Sequence, residues 1–266
     1  MRLLERWLSE MSPSQRVLDL GCGSGSLKSQ TLGLRVVGID VNVTGLARAS
    51  GLTGVCGRCQ NLPFADGSFD FAISHHSLEH FRDAESVILE VGRVLKTSGR
   101  LFVSVPEGAS FSDRLYRLMF CGGDHWQRFS FESVVGAIES GTGLRLAGSQ
   151  EMFTSFIYVD RRNFLAAPVG PLPGPLPRRM RWLGCAPGSV FSACRLLLNV
   201  GTRVADRLLG THLSRYGWAL AFARDAAPVQ VEPGVRDVCM YCGSGADGLA
   251  GYRCPDCGRL NPHFGI

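Results

Sequence analysis

The stretch Arg16-Val17-Leu18-Asp19-Leu20-Gly21-Cys22-Gly23-Ser24-Gly25 constrains this chain more than any other. Val17, Leu18 and Leu20 form a short apolar run suited to a strand buried on both faces, as in a parallel sheet. Glycines at 21, 23 and 25 follow at once, so the strand must end in a tight loop. Glycine there admits positive φ and lets a ligand approach the backbone without meeting a Cβ. A dinucleotide fingerprint would need glycine or alanine at position 26, where Ser26 stands instead. Asp19 lies two residues before the first glycine, placed to orient the loop or to reach a ligand amine. A second apolar run, Val36-Val37-Gly38-Ile39, ends in Asp40. A carboxylate ending the second strand beside a glycine loop suits bidentate hydrogen bonding to a ribose diol.

The pattern continues as alternating strands and helices. Residues 1–11 read as a short amphipathic helix with Leu3, Leu4, Trp7 and Leu8 on one face. The helix between Gly25 and Leu34 must be short. A third strand is predicted over 54–59 and a fourth over 69–74, with His75-His76-Ser77-Leu78-Glu79-His80 leaving its carboxyl end. Asp83 is the expected cap of a helix whose stripe is Ala84, Val87, Ile88, Val91 and Leu95, ended by Thr97-Ser98-Gly99. A fifth strand at 101–105, a helix at 132–140, a sixth strand within 144–159 and a seventh at 216–224 complete the pattern. The last two are expected to run antiparallel at the sheet edge.

Between the third and fourth strands stands Leu62-Pro63-Phe64-Ala65-Asp66-Gly67-Ser68-Phe69-Asp70. With the glycine loop and Asp40, these residues resemble class I S-adenosylmethionine-dependent methyltransferases, in particular the type 11 group, over residues 16–107, with weaker echoes to 224. The resemblance implies a seven-stranded Rossmann-like α/β sheet with S-adenosylmethionine held by Asp19, Gly21, Gly23, Gly25 and Asp40. It also implies in-line methyl transfer to an acceptor oxygen, nitrogen or carbon. In that group an acid shortly before the leucine usually helps hold the adenine. Arg58, Cys59 and Gln60 stand there, so the expectation falls on the Cys59 backbone and the Gln60 amide. His75, His76 and His125 are the candidate bases, since ligands of open α/β sheets bind off the carboxyl ends of strands. His80 is expected to cap the next element. His76 and His80 at i, i+4 lack a further ligand, and sites of this group are usually metal-free, so no metal is expected in that cluster. Cys56 and Cys59 form a CxxC at a strand end, with no helix after it to lower a thiol pKa, and are read as packing cysteines.

No continuous apolar leader precedes the first strand, and no stretch has the ~18 apolar residues of a membrane span. The 10 cysteines of a chain without a visible leader point to metal or free thiols, hence to the cytoplasm. Cys239-Met240-Tyr241-Cys242-Gly243 and Cys254-Pro255-Asp256-Cys257-Gly258 form two knuckles that converge four thiolates on one ion, the preference of structural zinc. The expected organisation is a methyltransferase domain over 1–224 with an insertion at 160–215, a proline-containing linker at 225–236, and a zinc-ribbon-like module at 237–266.

Charge separates the partners. Residues 161–215 hold nine arginines and one acid, a net of +8 within a chain of net +5. A helix predicted over 189–209 sets Ser192, Arg195, Asn199, Arg203 and Asp206/Arg207 on one stripe. Two readings stay open: a lid packed on the domain, or a basic amphipathic helix (189–210) on an anionic membrane or a lipid-linked acceptor. Residues 237–266 carry two arginines against three aspartates, too acidic for a phosphate-binding surface, so nucleic acid is disfavoured and a protein partner is the alternative for the module. The reading is a methyltransferase acting on a small-molecule, sugar or lipid-linked acceptor. The alternatives are an RNA or protein methyltransferase guided by the ribbon, and a non-catalytic cofactor-binding scaffold.

Overall fold

A computed structural model describes residues 2–25, 33–119, 125–154, 156, 158–159, 185–225 and 229–236. The elements are α1 (Arg2–Ser9), β1 (Arg16–Leu20), β2 (Arg35–Asp40), α2 (Val43–Leu46), β3 (Thr53–Cys56), β4 (Phe69–His75), a 3-10 turn (Leu78–His80), α3 (Ala84–Val94), β5 (Leu95–Pro106), α4 (Phe111–Met119), α5 (Phe131–Thr142), β6 (Arg145–Phe153), α6 (Gly188–Leu209), β7 (Arg215–Ala223) and β8 (Gln230–Arg236).

The strands form one mixed sheet of order β3-β2-β1-β4-β5-β7-β6-β8. β1 to β5 run parallel; β7 is antiparallel to both β5 and β6. The chain moves outward from β1 to β3 and then restarts on the other side of β1 at β4. That reversal opens a crevice at the carboxyl ends of β1 and β4.

Both faces of the sheet are covered, and the period of two decides which side chain goes where. Leu18, Ala72, Leu101, Val103, Leu220 and Phe222 pack towards α3 and α5. Val17, Phe71, Ile73, Phe102, Ala219 and Ala221 pack on the other side against Leu3, Leu4, Trp7 and Leu8 of α1. The expected apolar face of α1 is thus buried. Asp83 caps α3, its side chain accepting from the Ser86 N–H at 3.0 Å. The predicted stripe Ala84, Val87, Ile88 and Val91 is buried, but the helix stops at Val94 and Leu95 already belongs to β5. Thr97-Ser98-Gly99 therefore lies within a strand, where the pairing with β4 shifts register, rather than at a helix end.

The seven-strand expectation is corrected by β8. Residues 230–236, read as part of a linker because of Pro228 and Pro233, pair in parallel with β6. Proline is tolerated on an edge strand at an irregularity, and the register shifts between Gln150 and Met152, where the Pro233 carbonyl accepts from Gln150 Nε2 at 2.7 Å. Arg6 of α1 reaches Glu232 and Gln230 and fastens this edge. The helix expected between Gly25 and Leu34, the whole segment 160–184, and the four-cysteine module lie outside the described residues.

Candidate active site

The glycine loop is built by contact as much as by conformation. Gly21 has φ +63°, and a Cβ there would stand 2.8 Å from the Ser77 Cβ. Ser77 is buried, donates to the Leu20 carbonyl at 2.7 Å and shares a 2.8 Å contact with Ser74 Oγ. The loop after β1 and the turn after β4 are therefore packed into each other, with no room for a side chain on Gly21. Gly23 (φ +51°) differs, since a Cβ there would meet nothing within 4 Å.

Asp40 braces the loop. Its Oδ2 accepts from the Gly23 N–H at 2.8 Å and its Oδ1 from the Asn42 N–H at 2.7 Å. Each carboxylate oxygen keeps a further lone pair. Asp40 also lines a cavity of about 410 Å³, together with Gly21, Arg58, Cys59, Gln60 and Ser77. His76, His80, Phe81, Arg82 and Trp126 also line it, and the Arg82 guanidinium sits 4.1 Å from the Trp126 ring centre. Of the residues expected to hold a cofactor, Gly21, Asp40, Cys59 and Gln60 line this cavity. Asp19 is fully buried in β1, and Gly23 and Gly25 belong to the loop but not to the lining.

The three histidines fall in different places. His75, the last residue of β4, is buried with Nδ1 2.6 Å from Ser104 Oγ on β5. His76 reverses the chain with φ +50°, an uncommon conformation for a side-chain-bearing residue, and its N–H donates to the Ser104 carbonyl at 3.0 Å. That reversal brings His76 to the cavity lining, while its side chain, 1% exposed, packs between the rings of His75 and Tyr216. His125 comes from the distant segment before α5. Its Nδ1 lies 3.1 Å from Asp113 Oδ1 on α4, and Asp113 Oδ2 accepts from Arg117 Nε at 2.5 Å. Arg117 also donates to the carbonyls of His125 and Gln127, at 2.8 and 3.0 Å, while the Gln127 N–H donates to the Glu79 carbonyl at 3.1 Å. α4 thus pins the 125–127 segment over the turn after β4. Sequence reasoning missed Asp113 and Arg117; their i, i+4 spacing on a helix was the available signal.

Glu79 sits at the centre of this arrangement. Its side chain is 1% exposed, and His76 Nδ1 lies 3.7 Å from Oε1, too far for a hydrogen bond. Neither carboxylate oxygen nor that nitrogen has a hydrogen-bond partner. Burial works to raise its pKa, but the imidazoles of His76, His80 and His125 outweigh it and hold the carboxyl at about 2. His80 does not cap the next element, a role Asp83 fills; it lines the cavity. The CxxC divides: Cys59 is buried, and burial pushes its thiol up to about 12, whereas Cys56 is exposed and does not pack as expected. A thiol so raised is inert at neutral pH.

Residues 18–103 match the methyltransferase domain family. An O-methyltransferase, resE, from Aspergillus sclerotiorum is 33% identical over 106 residues, covering 35% of this chain and 40% of that protein. A demethylmenaquinone methyltransferase from Corynebacterium kroppenstedtii is 37% identical over 95 residues, covering 34% of this chain and 42% of that protein. The chain thus spans well under half the length of these curated relatives. The crystal structure of the YcgJ protein from Bacillus subtilis superimposes with a TM-score of 0.51 at 19% identity, over 82% of this chain and 94% of that one. Residues 18–103 are thus similar to the methyltransferase domain family, and they lie within a mixed eight-stranded sheet that shares the Rossmann-like fold of the YcgJ structure.

Proposed function

We propose that the protein transfers a methyl group from S-adenosylmethionine to a small-molecule or lipid-linked acceptor. The observation that supports this most is the sharing of one cavity by Gly21, Asp40 and His76. The residues fit the cofactor. Asp40 presents oxygens with spare lone pairs to bond a ribose diol, the Gly21 backbone offers a side-chain-free approach, and Cys59 and Gln60 stand beside them. When bound, the cofactor supplies an electrophilic methyl on a sulfonium centre. The chain's own residues orient the acceptor in the cavity and accept its proton at His76, which lines the cavity beside the buried Glu79 carboxylate. His125, held by Asp113 and Arg117, supports the turn after β4 through the Gln127–Glu79 contact.

Calorimetry with Asp40→Ala tests the reading. Losing the charge-assisted bonds to the diol weakens cofactor binding by about 2 kcal/mol, roughly 30-fold in Kd. Cofactor affinity within threefold of wild type would reduce Asp40 to a loop brace and overturn the assignment. Methyl transfer from labelled cofactor to hydroxyl, amine and carbon acceptors then separates O-, N- and C-methylation.

A second proposal concerns α6. Phe191 is buried in a cluster with Phe111, Leu115, Tyr116 and Phe156, so one edge of the helix is docked like a lid. Leu196, Leu197, Val200, Val204, Leu208 and Leu209 are exposed, beside Arg195, Arg203 and Arg207. Such a surface suits an anionic membrane from which a lipid-linked acceptor is taken. No helix among the described residues is long and apolar enough to cross a membrane. The zinc assignment to Cys239, Cys242, Cys254 and Cys257, with a protein partner for that module, stands as a proposal on sequence spacing alone.

A further inference from the structure

We propose that Glu79, His80 and His125 form a site for a divalent first-row transition metal, facing the acceptor side of the cavity. One donor atom from each lies within 4.8 Å of the other two. An ion between them requires each donor to move inward by less than about an ångström to reach the ~2.1 Å bonds of zinc to imidazole and carboxylate. Two contributors are neighbours on the 3-10 turn; the third arrives from 45 residues further on, so the cluster exists only in the folded chain.

Three independent features point to a ligand. The first is the Glu79 carboxylate, 1% exposed and with both oxygens unpartnered. Such a group is costly to bury unless a cation meets it. The second is the support behind His125. Asp113, with a side chain 0% exposed, engages Nδ1 and leaves Nε2 as the coordinating atom, the carboxylate–imidazole arrangement that fixes a metal-binding ring. The third is the lacing of the two segments through Gln127 and Arg117, which holds the donors together before any ion arrives. Two imidazoles and one carboxylate select zinc, cobalt, nickel or manganese over magnesium and calcium, whose preferred donors are all oxygen.

Three protein ligands leave a position open. Of the three, His80 lines the cavity, and an acceptor hydroxyl oxygen reaching it from there would suit the open position. This last extension rests on the methyl-transfer reading; the metal site itself does not.

The test is a cobalt titration of the reduced, chelator-stripped full chain, read by metal analysis and visible absorption, for wild type, His80→Gln, His125→Gln and Glu79→Gln. Cobalt on the four cysteines gives an intense thiolate charge-transfer band, whereas a nitrogen–oxygen site gives only weaker visible bands. We expect wild type to hold about one cobalt per chain beyond the thiolate-bound ion. Each variant should lose it or bind it at least tenfold more weakly, with the thiolate band unchanged. Equal cobalt in wild type and in variants with native circular dichroism would overturn the proposal. Should the buried Glu79→Gln chain not fold, the His80→Gln chain still decides, and a wild type binding only thiolate-held cobalt overturns it without any variant. Calorimetry with S-adenosylmethionine on the same samples separates the two ideas. Extra cobalt without cofactor binding sinks the methyl-transfer reading alone; cofactor binding without extra cobalt sinks the metal site alone.

Discussion

Gly21 and Gly23 have similar positive φ but different surroundings, and the pair isolates what packing adds to the loop. At φ +51° with open space around it, Gly23→Ala meets only the cost of a left-handed conformation, about 1–2 kcal/mol. Lower entropy of the unfolded chain offsets about 0.4–1 of that. The expected loss is therefore roughly 1 kcal/mol. Gly21→Ala meets the same balance at φ +63° and in addition drives a methyl group to 2.8 Å from Ser77 Cβ. Ser77 cannot retreat without giving up its bond to the Leu20 carbonyl. Overpacking of this kind adds about 1–3 kcal/mol, so Gly21→Ala should cost roughly 3 in all. Urea unfolding of both variants at one temperature, with m-values compared to exclude a change in the unfolded state, measures the difference. Equal losses for the two would show that the loop and the turn after β4 are not packed as described.

Asp70 accepts from the Arg16 N–H at 2.9 Å and from Lys96 at 2.7 Å. Although burial acts to raise its pKa, these partners hold it below the ordinary carboxylate value. Its contribution to stability is therefore complete above the unfolded value of about 3.9 and fades as pH falls through the folded one. The stability gap between wild type and Asp70→Asn should shrink between pH 6 and pH 3 in urea unfolding, and a constant gap would refute the ion pair. Carefully reduced protein should contain about one thiolate-bound zinc per chain. Metal analysis finding none, with Cys239, Cys242, Cys254 and Cys257 all reactive, would rule the module out. Arginine near an anionic bilayer is worth about 1 kcal/mol each, so an Arg195/Arg203/Arg207→Gln chain should co-sediment measurably less with anionic vesicles, and the difference should vanish at high salt. Wild type remaining in the supernatant with both anionic and neutral vesicles would leave α6 as a lid alone.

Much of the fold was legible because a doubly covered parallel sheet writes itself into sequence: short apolar runs, glycines at the first turn, an aspartate ending the second strand. The Leu62–Asp70 stretch was equally legible, though its residues serve the scaffold. Arg93 bonds the Leu62 and Phe64 carbonyls and Asp66, and Glu90 accepts from the Leu62 N–H at 2.7 Å. The motif is thus latched to α3. β8 was illegible because Pro233 is punctuation in most sequence contexts and acceptable only at an irregular sheet edge. Asp206, read as part of a polar stripe, instead accepts from Thr211, Leu213 and Ser214 and folds the chain from α6 into β7. The placement of His125 depends on Asp113 and Arg117, twelve and eight residues away on a separate helix, and no local pattern announces such a contact.

The glycine loop and the candidate base rest on one structural unit. β4 ends with His75 fixed to Ser104, and Ser104 also receives the N–H of His76 just as the backbone enters its uncommon conformation. Strain of this kind costs about 1–3 kcal/mol and persists only where neighbours over-determine it. Here the neighbours are Ser104 on one side and, on the other, Ser77 bonded to the Leu20 carbonyl and seated on Gly21. The strained turn leans on the glycine loop and the glycine loop leans on the turn. A ligand that orders one therefore stiffens the other. Asp40, bonded to Gly23 and lining the same cavity, braces the other end of the glycine loop. On the methyl-transfer reading, placing both on adjacent strand ends at the sheet's reversal point lets a few short contacts, rather than a separate domain, set the distance between cofactor and acceptor.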